Sequence, residues 1–463
     1  MNAHFYKYMI LAAVFSAAGI PCKVSAQEDA LLSLSTTPSN IAEGHKEEAR
    51  ALGVLAYEWG YPLIRMERTI RKYTDISRDM TDASFRAPVN RIGWSRRLPT
   101  YKDTDMPTAN NDTYYMSSVL TLEAPFKVKV PDTGGRYYVI NIFDMYHNIV
   151  AYIGKRTTGT KAGTFWIVPP EWKGNLPADT YVFRPKTNKV WLFGRIQVNE
   201  TDDVSEIHRL QNMFSVEPVA PVSDKLPEWI EYKGCLAFFH NLAQAMKYNS
   251  YSREEEALIA QFRKIGLEPG KFSEEKLTPS QIEGLTEALK TAPKAVISNA
   301  ASATVIRNGW QYADGMGEFG YNYGLRALVS GPYLGGQGSV EAMYPIRYVD
   351  DEGKILDGQK KYNVHFSSIP DVKAFWSLTV YDAKTKLLVK NPINRYKISS
   401  TTPGIKYNKD GSLDICLNNN DPGSEKNWLP LPEGEFYLLL RLYQPSEEVL
   451  NGSYELPSVK EIK

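Results

Sequence analysis

The sequence contains few residues of the kinds that hold structural metals. It has 463 residues but only six histidines, and no two of them lie in a His-x-His or His-Glu-x-x-His arrangement. A structural zinc site requires closely spaced ligands of this kind. Oxygen ligands for calcium are present at Asn110, Asp112, Asp414 and Asp421, but no EF-hand-type loop contains them. We therefore predict no metal site, and the sequence leaves any cofactor unknown.

The sequence also lacks an excess of either charge and, beyond its first residues, a long apolar run. Its 54 Lys and Arg residues nearly balance its 53 Asp and Glu residues. Nucleic-acid binding requires clustered basic side chains that displace counterions, so we expect no nucleic-acid partner. No later run approaches the roughly 18 apolar residues of a membrane-spanning helix, so no membrane span is expected.

Residues 1–26 are typical of a secretory signal peptide. Lys7 precedes the apolar run at residues 9–20, and Val24-Ser25-Ala26 resembles a cleavage site before Gln27. A lipoprotein anchored at Cys22 is the alternative, but the Gly-Ile-Pro before that cysteine fits it poorly. We expect cleavage after Ala26 and a periplasmic or secreted protein.

Cysteine is scarce as well, with three residues in the whole chain. Cleavage of the leader leaves Cys235 and Cys416, which either pair across domains or stay buried as small apolar groups. Since no spacing argues for a bridge, two buried thiols are slightly favoured.

The periodicity of the apolar residues divides the remaining chain into β-rich, helical and β-rich regions. A spacing of three and four over residues 45–73 predicts a helix, which Pro62 would divide or kink. Short runs rich in Val, Ile, Tyr and Phe, separated by turn residues, indicate antiparallel sandwiches or jelly rolls. We predict a mainly β protein of the α+β class, with two antiparallel jelly-roll or sandwich-like domains joined by a helical region. The predicted parts are the signal peptide at 1–26, a lead at 27–44, a helix and β-sandwich domain at 45–202, a helical region with a Gly-rich linker at 203–340, and a β-sandwich domain at 341–463.

Several motifs in this order resemble a bacterial two-domain family. The N-terminal half, with Asn110-Asn111-Asp112-Thr113-Tyr114, Arg136-Tyr137-Tyr138 and residues 153–159, resembles the domain of unknown function 1254. The C-terminal half, with Phe375-Trp376-Ser377, Asn391-Pro392-Ile393-Asn394-Arg395, Asn427-Trp428 and Arg441-Leu442-Tyr443, is similar to the domain of unknown function 1214. The resemblance implies paired β-rich, jelly-roll-like domains on exported proteins, and it brings no agreed reaction. One departure is Ala109, where the family commonly has proline.

Asp144 and His147 are the candidate catalytic pair. They follow a predicted strand, and loops at strand ends carry function on a rigid sheet. Asp144 could orient the imidazole of His147, which titrates near physiological pH and can act as a general acid or base. Arg136 or Arg156 would then stabilise an anion. The structural alternative is a turn closed by an Asx hydrogen bond beside a half-buried histidine.

Two polar and aromatic clusters are candidate substrate-binding residues. In the first, Asn and Asp before a strand are ordinary turn formers, but the two tyrosines that follow point to opposite faces, so one of them would face outward or into a cleft. In the second, exposed aromatic rings flanked by Asn and Arg would suit a sugar or an aromatic ligand, whereas buried rings would be core anchors. The candidates are Asn110, Asp112, Tyr114 and Tyr115, and Trp376, Asn391, Arg395, Asn427 and Trp428.

These residues support two hypotheses of function. The first is an exported enzyme that acts on a small or glycan-like substrate by acid–base chemistry; the alternative is a non-catalytic ligand-binding protein of the cell envelope. An assembly protein is a third interpretation, and it would need a large exposed apolar patch. No Gly-x-Ser-x-Gly elbow supports a serine hydrolase, and Cys235 and His240 do not share a helix face. The oligomeric state is left open.

Overall fold

The structure is a computed structural model that describes residues 34–462 except 79, 179, 203 and 424–426. The predicted signal peptide and residues 27–33 of the predicted lead lie outside the described residues. Across the described ranges, none of the helices combines the length and the apolar character needed to cross a bilayer. The helices are α1 Pro38–Thr74, α2 Val204–Met213, α3 Ala237–Tyr248, α4 Glu256–Phe262, α5 Pro279–Ser298, α6 Ala300–Ala303, α7 Tyr323–Ser330 and α8 Glu447–Asn451.

The strands fall into a first group before residue 220 and a second group after it. The first group is β1 Gly93–Trp94, β2 Thr113–Thr121, β3 Phe126–Val130, β4 Tyr138–Asp144, β5 Ile149–Gly154, β6 Gly163–Ile167, β7 Tyr181–Phe183, β8 Lys189–Gln197 and β9 Ser215–Pro218. The second group is β10 Leu267–Glu268, β11 Lys271–Phe272, β12 Thr304–Arg307, β13 Trp310–Ala313, β14 Ala342–Met343, β15 Ile346–Arg347, β16 Lys361–Phe366, β17 Trp376–Asp382, β18 Lys397–Ser399, β19 Leu413–Asn418, β20 Asn427–Pro430, β21 Phe436–Tyr443 and β22 Ser458–Ile462.

The N-terminal β domain consists of two sheets and is covered by helices. The first sheet has the order β1-β2-β8-β4-β5, and the second has the order β7-β6-β3-β9. Alternation along β2 places Met116 and Leu120 in the core between the two sheets and Tyr115 and Val119 in the core under the helices. Since both faces of the first sheet are covered, all nine residues of β2 are buried.

Helix α1 forms the centre of the helical layer. Thr37 accepts a hydrogen bond from the N–H of Asn40, Pro38 occupies the first turn, and Arg71 and Lys72 lie in the last turn, which is the arrangement expected from capping and the helix dipole. The helix continues through Pro62 without dividing. It packs against α3, α5 and α7, so residues from the middle of the chain cover the N-terminal domain.

The C-terminal β domain also consists of two sheets. The third sheet has the order β12-β13-β15-β21-β17-β18, with β14 also paired to β21, and the fourth has the order β20-β19-β16-β22. Leu378, Leu440 and Val364 lie in the core between these sheets. The prediction of an α+β protein made mainly of antiparallel sheets is confirmed; the parallel pairs are β6 with β7 and β19 with β20.

The middle region differs in two ways from a purely helical region. Residues 203–340 contribute β9 to the second sheet and β12 and β13 to the third sheet. Within this region, α3 and α4 are separate helices, because a capping box between Ser252 and Glu255 starts a new helical turn.

Cys235 and Cys416 are not joined to each other by a disulfide. Cys416 lies in β19 and is buried, as expected. Cys235 is exposed, so its predicted burial is wrong. It lies two residues before Ala237, the first residue of α3, and is therefore not on the buried face of that helix.

Candidate functional site

The turn before β2 lies at the interface between the two β domains. Asn110 and Asp112 are 3% and 2% exposed. The Oδ1 of Asn110 accepts a hydrogen bond from the N–H of Asp112 at 2.6 Å, as in an Asx turn. The Nδ2 of Asn110 donates to the Oη of Tyr443 at 2.5 Å, and its backbone N–H donates to the Oη of Tyr115 at 2.9 Å. The segment is therefore both a structural turn and part of an internal polar site.

Asp112 joins the turn to the third sheet. The Nζ of Lys397 lies 2.8 Å from its Oδ1, and the hydroxyl of Ser377 donates to its Oδ2 at 2.6 Å. Strand register explains this contact, because Ser377 lies opposite Arg441 and Thr379 lies opposite Lys397. The same face of the third sheet therefore presents a row of buried polar side chains to the N-terminal domain.

Arg441 is the first of two buried guanidinium groups at this interface. It is 2% exposed and donates to the hydroxyls of Tyr381 at 2.7 Å and Thr379 at 3.0 Å. It also donates to the carbonyl of Thr108 at 3.2 Å. All of these partners are uncharged, so the hydrogen bonds orient the guanidinium without neutralising it.

Arg195 is the second buried guanidinium. It lies opposite Tyr115 in the first sheet and is 6% exposed. Its Nη2 donates to the carbonyl of Gly335 at 3.1 Å, but its Nε and Nη1 have no hydrogen-bond partner. The group lies 4.7 Å from the ring of Phe193 and 5.6 Å from that of Tyr115. In the part of the chain that the structure describes, no carboxylate forms an ion pair with it, which is exceptional for a buried charge.

Tyrosine hydroxyls surround the two arginines. Burial raises the pKa of Tyr344 and raises the pKa values of Tyr137 and Tyr443 well above the ordinary range, so these phenols are neutral. The hydroxyl of Tyr344 donates to Gln337 at 2.6 Å, and that of Tyr137 donates to Glu341 at 2.9 Å. We call the set the interdomain site; it comprises Asn110, Asp112, Tyr115, Tyr137, Arg195, Tyr344, Tyr381, Lys397, Arg441 and Tyr443.

Residues 331–338, here called the strap, cover Arg195. The carbonyl of Gly335 accepts from Arg195, and its N–H donates to the Nε2 of His147 at 3.0 Å. Gly335 has a φ of +76°, and a Cβ at this position would lie 2.9 Å from the ring of Phe193. The predicted Gly-rich linker is therefore a tightly fitted loop at this point, and glycine is required there.

The remainder of the strap is fixed by side-chain hydrogen bonds. Gln337 is fully buried, and its Nε2 donates to Asn141 at 3.2 Å. The N–H of Gly338 donates to the hydroxyl of Tyr152 at 2.9 Å. These contacts connect the strap to the first sheet next to Arg195.

The structure does not join Asp144 and His147 through their side chains. The carboxylate of Asp144 accepts from the backbone N–H groups of Tyr146 and Asn148, both at 2.9 Å. His147 is 1% exposed, and burial, together with the charges of Arg65 and Arg326, lowers its pKa to about 3. The imidazole is therefore neutral at physiological pH and far from solvent, as in the structural alternative of an Asx turn.

Arg136 and Arg156 are both occupied by carboxylates. Arg136 donates to the two carboxylate oxygens of Asp202 at 2.6 and 3.2 Å. The Nε of Arg156 donates to Glu341 at 2.6 Å. Of the two, only Arg156 reaches the interdomain site, through the glutamate it shares with Tyr137.

Two aromatic candidates lie in the cores rather than at a ligand surface. Tyr114 points away from Tyr115 into the core of the N-terminal sandwich, with its ring 5.8 Å from that of His208. Trp376 is 1% exposed, and its ring lies 5.2 Å from that of Phe366. Since helices cover the opposite face of β2, neither tyrosine faces outward.

The other C-terminal candidates form a separate cluster. Arg395, Asn427 and Trp428 line a surface cavity of about 300 Å³. Arg395 donates to the carbonyl of Trp428 at 3.0 Å, and the indole of Trp428 donates to that of Asn418 at 2.8 Å. The amide of Asn391 bonds to the backbone of Arg395. These polar groups therefore hold the loops around the cavity together.

Arg195 and Arg441 are not among the predicted site residues, although the sequence contains a signal for them. Each interrupts a strand of otherwise apolar residues, Arg195 within Val190-Trp191-Leu192-Phe193-Gly194-Arg195-Ile196 and Arg441 within Phe436-Tyr437-Leu438-Leu439-Leu440-Arg441-Leu442-Tyr443. A charge at such a position is buried whichever way the strand faces, and a buried charge requires a partner.

Two family models match the chain. Residues 89–218 match the model described as "Protein of unknown function (DUF1254)", and residues 341–447 match the model described as "Protein of unknown function (DUF1214)". Both halves of the resemblance are therefore confirmed. The first region contains Asp112 and Arg195, and the second contains Lys397 and Arg441, so the interdomain site draws on both.

A solved structure shares the fold. The crystal structure of the VPA0106 protein from Vibrio parahaemolyticus is similar at 26% sequence identity, with 91% of this chain and 100% of that chain covered and a TM-score of 0.69. A putative uncharacterized protein from Burkholderia cenocepacia matches at 12% identity over 93% of this chain and 91% of that chain, with a TM-score of 0.43. No curated protein matches.

Proposed function

Because the chain belongs to the family that joins a DUF1254 region to a DUF1214 region, whose descriptions give no activity, we propose a function from the interdomain site: the protein binds a small anionic molecule there. The observation that carries the proposal is the guanidinium of Arg195, which is buried with two donor nitrogens unpartnered. A buried charge is costly unless an opposite charge or several hydrogen bonds compensate it. A carboxylate or phosphate oxygen would supply both.

The surroundings of Arg195 suit a planar or compact anion. Guanidinium groups are strong hydrogen-bond donors to carboxylate and phosphate oxygens, and Nε and Nη1 are the nitrogens of Arg195 without a partner. Because these two nitrogens point to different sides of the guanidinium, each would donate a separate hydrogen bond rather than one half of a parallel pair. The rings of Tyr115 and Phe193 hold the guanidinium in place. Ligand sites also occur preferentially at domain interfaces, which is where Arg195 and Arg441 lie.

Binding accounts for more of the site than acid–base catalysis by Asp144 and His147. The low pKa of His147 makes it a poor proton acceptor at physiological pH, and its Nε2 accepts a hydrogen bond from the strap. Asp144 uses its carboxylate to close a turn. We therefore favour a ligand-binding protein over an enzyme whose chemistry rests on this pair.

We also propose that the protein is exported and acts outside the cytoplasm. The sequence features of residues 1–26 support this proposal. Intact-mass measurement of the protein recovered from the periplasm and the medium tests it, and we expect a mature chain that starts at Gln27. Recovery of only the full-length chain from the cytoplasm would contradict it.

The binding proposal is tested by thermal denaturation of residues 27–463 with phosphate, sulfate, succinate and citrate at constant ionic strength, with glucose as a neutral probe. A ligand that binds the folded state raises the midpoint by mass action. We expect at least one anion, but not glucose, to raise it, and Arg195→Gln to abolish that shift. The matched control is Arg136→Gln, which removes a carboxylate-paired arginine and should leave the shift intact.

The stability of Arg195→Gln in the absence of any ligand gives a second test. Arg195→Gln removes an uncompensated buried charge, so the unliganded variant should be at least as stable as the wild type. A loss of several kcal/mol in the variant would identify Arg195 as a structural group. The absence of a shift with every anion, or equal shifts in wild type and variant, would also contradict the proposal.

A further inference from the structure

We infer that the ligand of the interdomain site carries two negative charges, one bound directly by Arg195 and the second balanced by Arg441. This inference rests on the proposed function, since it specifies the ligand class of the same site. Dicarboxylates and phosphate monoesters are the small molecules that fit it.

The first step is the charge balance of the site. Asp112 pairs with Lys397 at 2.8 Å, and Glu341 pairs with Arg156 at 2.6 Å. Arg195 and Arg441 form no ion pair with any carboxylate of the described residues, although the charge of Asp112 also acts on Arg441. The four cationic side chains Lys397, Arg156, Arg195 and Arg441 and the two carboxylates therefore sum to a formal charge of +2. A monoanion would compensate one of these charges and leave the other buried and unpaired.

The second step excludes the tyrosines as counter-charges. A tyrosinate beside a guanidinium could neutralise it, but burial raises the pKa values of Tyr344, Tyr381 and Tyr443. These hydroxyls are therefore neutral at physiological pH, and they can hydrogen-bond to a ligand without supplying charge.

The third step is the position of the two guanidinium groups around shared partners. Arg195 lies over the ring of Tyr115, whose hydroxyl accepts from Asn110. Asn110 also donates to Tyr443, which lies two residues after Arg441 on the same face of β21. The two arginines thus lie beside one hydrogen-bonded group of residues from both domains, and the charges of both act on Tyr344 and Tyr443.

The two arginines differ in what they offer a ligand. Arg195 has unpartnered N–H groups and can bind an oxyanion directly. Arg441 already donates to Thr108, Thr379 and Tyr381, so it acts mainly through its charge. Loss of Arg195 should therefore abolish anion binding, whereas loss of the charge of Arg441 should reduce only the preference for a dianion.

The test compares succinate with succinamate, which has the same length and one negative charge fewer, by calorimetry on residues 27–463 at constant ionic strength. The Coulomb energy of a second charge in a partly buried site predicts that succinate binds at least about tenfold more tightly. Arg441→Gln should remove most of this difference, while Arg441→Lys, which keeps the charge, should retain it.

The outcomes separate this inference from the proposed function. If wild type binds both compounds equally and Arg195→Gln binds neither, the ligand is a monoanion and the inference is wrong while the proposed function stands. If Arg195→Gln binds both as well as wild type does, the proposed function fails. If Arg441→Gln does not fold, the comparison in wild type still decides the number of charges, and Arg441→Lys still reports on the role of Arg441.

Discussion

Lys397 and Asp112 form a buried ion pair that joins the two β domains. Nζ of Lys397 lies 2.8 Å from Oδ1 of Asp112, and the two side chains are 4% and 2% exposed. Ser377 donates a further hydrogen bond to the same carboxylate at 2.6 Å. An ion pair and a hydrogen bond therefore join the turn before β2 to the third sheet.

Asp112→Asn should strongly destabilise the protein. The substitution leaves Lys397 charged, buried and without a counter-ion, and breaking one partner of a buried pair costs about 3–5 kcal/mol. Urea denaturation measures the loss. The matched control is Asp132→Asn, because Asp132 and Lys161 form an ion pair with side chains that are 44% and 88% exposed, and solvent screens such a pair so that its loss should have little effect.

The double variant Asp112→Asn with Lys397→Met completes this test. Removing both charges avoids the unpaired lysine, so part of the lost stability should return. An Asp112→Asn variant as stable as Asp132→Asn would show that the buried pair does not hold the domains together.

Gly335→Ala should be more destabilising than substitution of a glycine with similar backbone geometry. Gly335 and Gly353 have φ values of +76° and +79°, so both substitutions carry the left-handed cost of about 1–2 kcal/mol. A Cβ on Gly353 meets no atom within 4 Å, whereas one on Gly335 lies 2.9 Å from Phe193. Forcing that ring aside should add about 1–3 kcal/mol, measured by urea denaturation. Equal losses would mean that the strap adjusts easily.

His147 should make the protein sensitive to acid. Its folded pKa of about 3 lies below its ordinary value of 6.5, so between these pH values the unfolded chain binds a proton that the folded chain does not. Stability therefore falls as the pH decreases from about 6.5 towards 3, by about 1.4 kcal/mol per pH unit from this group. His147→Gln, whose amide oxygen can still accept from Gly335, should flatten the curve in this window. Parallel stability curves for the variant and the wild type would contradict the burial of a neutral imidazole.

Cys235 and Cys416 should react at very different rates. Cys235 is exposed and Cys416 is buried, and reaction with a thiol reagent requires access to the sulfur. Under native conditions we expect one thiol to be modified quickly and the second only on unfolding, with peptide mapping to assign the sites. Rapid modification of both would contradict the packing of β19. Cys235→Ser is the control that removes the fast phase.

The sequence predicts the elements of this fold better than their connections. Alternating apolar residues correctly indicate strands such as β2, β4 and β8, because a two-residue period is a local property. It does not show that β12 and β13 complete a sheet whose other strands lie after residue 340, since strand pairing depends on contacts distant in sequence. The four glycines of the strap are compatible with a linker and also with a loop that packs closely against its neighbours. The sequence alone does not distinguish these two cases.

The sequence likewise predicts only the part of the candidate site that depends on local patterns. Asn110, Asp112 and Tyr115 were found because polar residues precede an apolar strand, and the structure places them at the interdomain site. Lys397 and Arg441 were not selected, because only the packing of two domains brings them to the same place. The prediction that His147 is catalytic depends on the ordinary pKa of imidazole, and burial lowers the pKa of His147 far below that value.

The apolar core around helix α1 is completed only by residues that are synthesised later. Trp59, Val119, Trp191, Phe239 and Leu285 belong to one apolar core, although only the second and third of them lie within the DUF1254 region. As a nascent chain emerges from the ribosome, the first sheet has an uncovered apolar face until α3 and α5 have also been made. The N-terminal domain therefore cannot complete its core until Ser298, the last residue of α5, has been made.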